Sequence, residues 1–96
     1  MSAYVVVDVN VTDPVAYDVY REKAAASVAA HGGRYVTRGG TTTVLEGEWS
    51  PVRLVILEFP DAETARRWYT SDEYGEARSA RAGACTMKMV AVEGVA

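Results

Sequence analysis

Residues 3 to 11, 52 to 59 and 86 to 92 each read as a strand with apolar side chains on both of its faces. In the first, Val5, Val7, Val9 and Val11 fall on one side and Tyr4, Val6, Asp8 and Asn10 on the other. In the second, Leu54 and Ile56 oppose Val55 and Leu57, and in the last Met87 and Met89 oppose Val90. Successive strand residues point to opposite sides, so a sheet of these strands needs cover on both. The helical segments fall in an order that places them on one face only. The other face is then a contiguous apolar patch, the usual mark of an interface, and the expectation is a homodimer formed sheet face against sheet face. Long side chains and loops folding back over the sheet are the competing way to cover it.

The segments between these strands carry helix signals. Thr12-Asp13-Pro14 supplies an N-cap and a proline at the first helical position. A helix follows to about His31, with Tyr17, Tyr20, Ala24 and Val28 on one stripe, and Gly32-Gly33 ends it. Arg34 to Arg38 reads as a strand, Gly39-Gly40 as a tight hairpin turn, and Thr41 to Glu46 as its partner strand. Gly47 to Pro51 is a loop with Trp49 at its tip; the segments flanking it are two strands or one interrupted strand. Asp61 caps a second helix with Ala65, Trp68 and Tyr69 facing inward, and Ser71 opens a fresh piece, roughly 72 to 82, carrying Tyr74, Ala77, Arg78 and Arg81. Gly83 ends it before the last strand. The order is β-α-β-β-α-β, an α+β ferredoxin-like sandwich on an antiparallel sheet, expected as a single domain over residues 1–96.

Composition narrows the function classes. A 96-residue domain buries about two-thirds of the surface its unfolded chain exposes, and self-association adds to that. Apolar residues at 49% and charged residues at 24% are ordinary for a globular protein, and the longest apolar runs are strand-length, so no membrane is expected. The start of the sequence has no export signal, which points to a cytoplasmic location and makes the sequon at Asn10-Val11-Thr12 a chance match. With Cys85 the only cysteine and His31 the only histidine, neither an internal disulfide nor a thiolate or imidazole metal cluster is expected, and no cofactor is called for. A net charge of −3, with basic residues spread along the chain, argues against nucleic acid. Eight of the ten basic residues are arginine, the side chain suited to bidentate anion contacts.

His31-Gly32-Gly33-Arg34-Tyr35, Arg38-Gly39-Gly40, Glu46-Gly47, the run from Arg53 to Glu58-Phe59-Pro60, and the run from Ala65 through Trp68-Tyr69-Thr70-Ser71-Asp72-Glu73-Tyr74 occur in this order. Together they resemble the family of the domain of unknown function 1330, within the dimeric α+β-barrel superfamily. The resemblance implies a ferredoxin-like protomer whose sheets meet face to face. Related families include cofactor-independent monooxygenases, muconolactone-type isomerases, haem-dependent peroxidases and amino-acid-sensing domains, so the resemblance alone implies no single activity.

Among residues able to carry chemistry, Arg38 stands at a strand end beside a glycine turn, and with Arg53, Arg78 and Arg81 it is a candidate to hold a carboxylate or enolate. The alternative is that each arginine pairs with an acid such as Glu46, Glu58 or Glu76, the favoured reading for Arg81. Glu58 lies between Leu57 and Phe59, where burial would raise its pKa toward general-base range, though an ion pair to Arg53 or Arg38 is the commoner use of such a residue. Asp8 and Asn10 fall at the sheet edge or dimer seam. His31 is placed to cap helix carbonyls and is the other catalytic candidate. Trp68, Tyr69 and Tyr74, with Tyr17 and Tyr20 opposite, line the space between helices and sheet as the walls of a flat-ligand cleft or as core filling. Cys85 reads as a buried, inert thiol. No phosphate cradle, Ser-His-Asp order, zinc spacing or paired carboxylate motif is present.

These readings converge on a dimer binding a small anionic or aromatic molecule between sheet and helices, with a cofactor-independent isomerase or monooxygenase as the enzymatic form. The alternative is a non-catalytic dimerisation module with a filled core. A haem protein ranks below both, because His31 is the only imidazole.

Overall fold

The computed structural model describes residues 1–95. Its elements are β1 (Ala3–Val11), α1 (Pro14–Ala30), β2 (Arg34–Arg38), β3 (Leu54–Phe59), α2 (Ala62–Thr70), α3 (Asp72–Ala80) and β4 (Cys85–Glu93). The four strands form one antiparallel sheet in the order β2-β3-β1-β4, a ferredoxin-like α+β arrangement. The caps are those the sequence announces. Asp13 accepts the Ala16 amide at 3.3 Å and Asp61 that of Thr64 at 2.7 Å. Ser71 closes α2 and opens α3: its hydroxyl donates to the Trp68 carbonyl at 2.7 Å and accepts the Tyr74 amide at 3.2 Å. No helix among the described residues is long and apolar enough to cross a membrane.

The helices cover one face of the sheet. Val5, Val7 and Val9 of β1 and Val55, Leu57 and Phe59 of β3 meet Tyr17, Tyr20 and Val28 of α1 and Trp68 and Tyr74 of α2 and α3. The opposite face carries half-buried Val6, Leu54 and Ile56 and exposed Val36, Val90 and Val92, with no helix over it. The two-faced character read from the strands is therefore present. Tyr69, expected inward, is 38% exposed; a nine-residue helix with buried Ala65 and Trp68 turns position 69 past the edge of its inner stripe.

Thr41 to Glu46 is not a strand. Its residues are exposed and take no regular structure, and β2 pairs instead with β3, across a loop running from Gly39 to Arg53. Three consecutive threonines followed by adjacent Val44 and Leu45 offer no alternating apolar side to bury, so pairing there gains little. The loop is fixed at both ends. The Gly39 amide donates to the Leu54 carbonyl at 2.9 Å, and Asp8 accepts both the Trp49 indole N–H and the Val52 amide at 3.2 Å. Asp8 is thus a loop anchor.

A β-bulge interrupts β2. Arg34 lies opposite Glu58 and Tyr35 opposite Leu57, but the next pairs are Thr37 with Ile56 and Arg38 with Val55, leaving Val36 as the extra residue. Strict alternation would set Arg38 on the same face as Arg34. The extra residue moves it to the helix side, with Tyr35.

Candidate functional site

The turned arginine faces a cleft between α1 and the β2–β3 half of the sheet. The Arg38 guanidinium lies over the Tyr35 ring, 4.4 Å from its centroid, a cation–π placement that fixes a long side chain. Arg53 enters from the end of the loop, against Gly39. That glycine has φ of +76°, and a Cβ there would stand 2.7 Å from an Arg53 Nη, so the bare backbone leaves room for the guanidinium. Across from them, α1 contributes Tyr17, Tyr20 and Arg21. Together these side chains surround an interior cavity of about 30 Å³, room for about two water molecules. Outside it lies an open vestibule of about 470 Å³ lined by Asp18, Arg21, Glu22, Ala25 and Arg38.

The charge balance at this cleft is positive. Arg21 pairs with Asp18 at 3.3 Å, but among the described residues Arg38 and Arg53 have no acidic partner, and the Arg53 Nε is buried without a hydrogen-bond acceptor. Burial raises the phenol pKa values of Tyr17, Tyr20 and Tyr35; Arg53 opposes this at Tyr17 and Arg38 at Tyr35. These hydroxyls therefore remain protonated at neutral pH. Neither carboxylate nor imidazole lines the interior cavity. Cationic and neutral donors of this kind can hold an anionic oxygen, while no side chain of the cavity wall is a base at neutral pH.

Of the aromatic residues expected in the site, Trp68 lines the cavity. Its indole N–H donates to the Ser27 hydroxyl at 3.0 Å, and its rings stack near Phe59 and Tyr74 at 5.2 and 4.2 Å between centroids. Tyr74 is wholly buried behind it, sharing a hydrogen bond of 3.0 Å with the Tyr20 hydroxyl, so it fills core. Tyr69 lines a separate open groove. Arg81 has no acidic partner among the described residues, contrary to expectation; its guanidinium lies 5.8 Å from the Tyr20 ring centroid. Arg78 stands over Tyr69 at 4.8 Å.

The two catalytic candidates lie elsewhere. Glu58 points to the uncovered sheet face, where it forms an ion pair with Arg34 and accepts the Tyr4 hydroxyl at 3.4 Å. Its pKa is lowered, by a hydrogen bond from Ser2 first and by Arg34 and Tyr4 in addition, against a smaller opposing effect of burial. A pKa raised by apolar neighbours is thus overturned: Leu57 and Phe59 point to the other side of the strand. The ion-pair partner is Arg34, directly across the ladder, in place of Arg53 or Arg38. His31 caps α1, its Nδ1 2.9 Å from the Ser27 carbonyl and its Nε2 3.6 Å from a Glu73 oxygen, and it lines neither the cavity nor the vestibule. Asn10 is exposed on the uncovered face beside Thr86. Cys85 is half-buried against the core, short of the full burial expected. Among the described residues no group of three or more His, Cys, Asp or Glu stands together to hold a metal ion.

Two members of the cleft, Arg21 and Tyr35, escaped the sequence reading. Arg21 follows Tyr17 by four residues, one helical turn, and that spacing is the signal that marks it. Tyr35 joins Arg38 only because of the bulge, which no residue of β2 announces.

No curated protein matches the chain. Among solved structures, it is similar to a protein of unknown function from Rhodopseudomonas palustris, at 17% identity and a TM-score of 0.79 over 99% of this chain and 83% of that one. It is also similar to SnoaB, a cofactor-independent oxygenase from Streptomyces nogalater, at 16% identity and a TM-score of 0.67 over 99% and 94% of the two chains. A dimeric ferredoxin-like protein of unknown function from Jannaschia sp. aligns at 16% identity and a TM-score of 0.64 over 98% and 100%. These likenesses establish the fold. The model of the domain of unknown function family DUF1330 matches residues 2–95, and the chain belongs to that family.

Proposed function

We propose that this protein binds a small molecule bearing an anionic oxygen, held by Arg38 and Arg53 at the cleft between α1 and the β2–β3 sheet edge, and that it does so as a homodimer paired through the uncovered sheet face. The observation that carries the reading is a pair of cations at one cleft, neither with an acidic partner among the described residues, one of them turned there by a bulge. A buried guanidinium nitrogen without an acceptor is costly, and an incoming carboxylate or enolate relieves it. The 30 Å³ interior admits no organic ligand, so the body of the molecule sits in the vestibule and only its charged end reaches the arginines. With arginines and neutral phenols as donors and no base in the wall, a catalytic form would stabilise an enolate whose proton is lost to solvent water. SnoaB, described as a cofactor-independent oxygenase, shares the fold.

The test is a thermal-shift and calorimetric titration with benzoate, salicylate and 4-hydroxybenzoate. A saturable response is expected, weakened about tenfold or more in Arg38→Ala, because a charge-assisted hydrogen bond contributes about 1.5–3 kcal/mol. The variant should keep its own unfolding transition. Loss of that transition would make Arg38 structural, and absence of any saturable response would sink the binding reading. The small interior volume favours a second reading, a dimerisation module with a filled core; it predicts a dimer by sedimentation and no response to any of the acids.

A further inference from the structure

A second open space shares Trp68, Met87 and Met89 with the interior cavity of the arginine cleft and extends from them to residues that cavity lacks. Strand β4 is an edge strand, and its register sets Met87, Met89 and Ala91 on the helix side, opposite Val9, Val7 and Val5. Ala91 is nevertheless exposed, so the helices stop short of that end of the strand. The gap is a groove of about 420 Å³, with Met87, Met89 and Ala91 along its floor, Trp68 and Tyr69 in its wall, and Arg66 and Arg81 beside them.

Its chemistry is one-sided. No acidic residue lines the groove, and among the described residues Arg66, Arg78 and Arg81 form no ion pair. The Arg81 Nε is buried without an acceptor, and Arg78 adds positive charge over the Tyr69 ring. The thioether side chains of the floor adapt to a flexible apolar chain. A mostly apolar groove whose charged lining residues are all arginine complements a ligand with an aliphatic tail and a single carboxylate. We propose that the β4-edge groove binds a medium-chain carboxylate, its tail along Met87, Met89 and Ala91 and its carboxylate on Arg81. Neither Arg38 nor Arg53 lines the groove, so the proposal stands whether or not the Arg38 cleft binds a ligand.

Calorimetric titration of the intact protein with octanoate and with octanol tests the proposal. Octanoate should bind saturably and at least fivefold more tightly than octanol. Arg81→Gln should remove that preference, and Ala91→Trp, a surface change that fills the floor, should weaken both ligands at least fivefold. Arg38→Gln should leave the preference for octanoate over octanol and its dependence on Arg81 in place, whatever it does at the other cleft. Equal affinity for acid and alcohol, indifference to Ala91→Trp, or loss of octanoate binding in Arg38→Gln alone would each overturn it, the last while supporting the Arg38 cleft as the carboxylate site. So would dissociation of a dimer by Ala91→Trp, which would make the groove a seat for a second copy of the chain.

Discussion

Ser27 is the buried polar residue on which the packing of Trp68 depends, and Ser27→Ala tests that dependence. The side chain is 1% exposed; its hydroxyl donates to the Ala24 carbonyl at 2.7 Å and accepts the Trp68 indole N–H at 3.0 Å. Alanine removes the acceptor that indole has among the described residues and leaves its N–H buried, a loss of about 1–3 kcal/mol. The better helix propensity of alanine returns roughly 0.5 kcal/mol, so the net destabilisation is about 0.5–2.5 kcal/mol. For a domain of this size each kcal/mol corresponds to about 4–8 °C in Tm. Urea unfolding at fixed protein concentration measures the change, with the m-value unaltered. Trp68→Phe in the same background removes the orphaned donor, so the double variant should be less destabilised than the sum of the two single variants, by about 1 kcal/mol. Additive losses, or a Ser27→Ala change below about 0.3 kcal/mol, would refute the argument.

Three further outcomes follow from geometry already described. Burial raises the pKa values of Tyr17, Tyr20, Tyr35 and Tyr74 above the usual 10.0, so folding favours the neutral phenols; that stability is intact below pH 10 and falls as pH rises beyond it. An absorbance titration at 295 nm should show these four ionising together with unfolding, and a smooth reversible titration of all six tyrosines in the folded protein would contradict it. Gly39→Ala places a side chain at φ +76° and 2.7 Å from Arg53, so it should destabilise by about 1–2 kcal/mol in chemical denaturation and weaken any ligand response at the Arg38 cleft. Asp8→Ala removes the acceptor for Trp49 and Val52; the Gly39–Arg53 loop should become the first site of limited proteolysis, with the Tm lowered by only a few degrees.

The legible parts of this fold are those in which a short window of sequence contains its own reason. Asp13-Pro14, Asp61 and Ser71 mark helix starts because the cap and the amide it serves lie three residues apart. Strands β1, β3 and β4 are legible from alternation, and the uncovered face from apolar residues on both parities. What failed depended on distant partners. The glycine pair after Arg38 suggests a hairpin, but the acceptor for the Gly39 amide is Leu54, across the loop. Glu58 seemed enclosed by Leu57 and Phe59, although neighbours in a strand face away from one another, and its true surroundings are Arg34 and Tyr4 across the ladder. Of the expected ligand residues, Arg38, Arg53 and Trp68 meet at one cavity, whereas Tyr74 is core and Tyr69 belongs to the groove.

The bulge at Val36 makes the side on which Arg38 stands a matter of pairing register rather than residue identity. Pairing β2 with β3 residue for residue from Tyr35 onward, with no bulge, would set Arg38 opposite Leu54 and carry the guanidinium from the cleft to the open sheet face without altering any chemical group in either place. A one-residue slip there therefore exchanges a cation between the helix side of the sheet and its uncovered side. If the cleft binds ligands and the uncovered face pairs with a second copy, as proposed, ligand preference and self-association are coupled through the register of one strand, and relatives in which β2 pairs without a bulge are expected to differ in both properties at once.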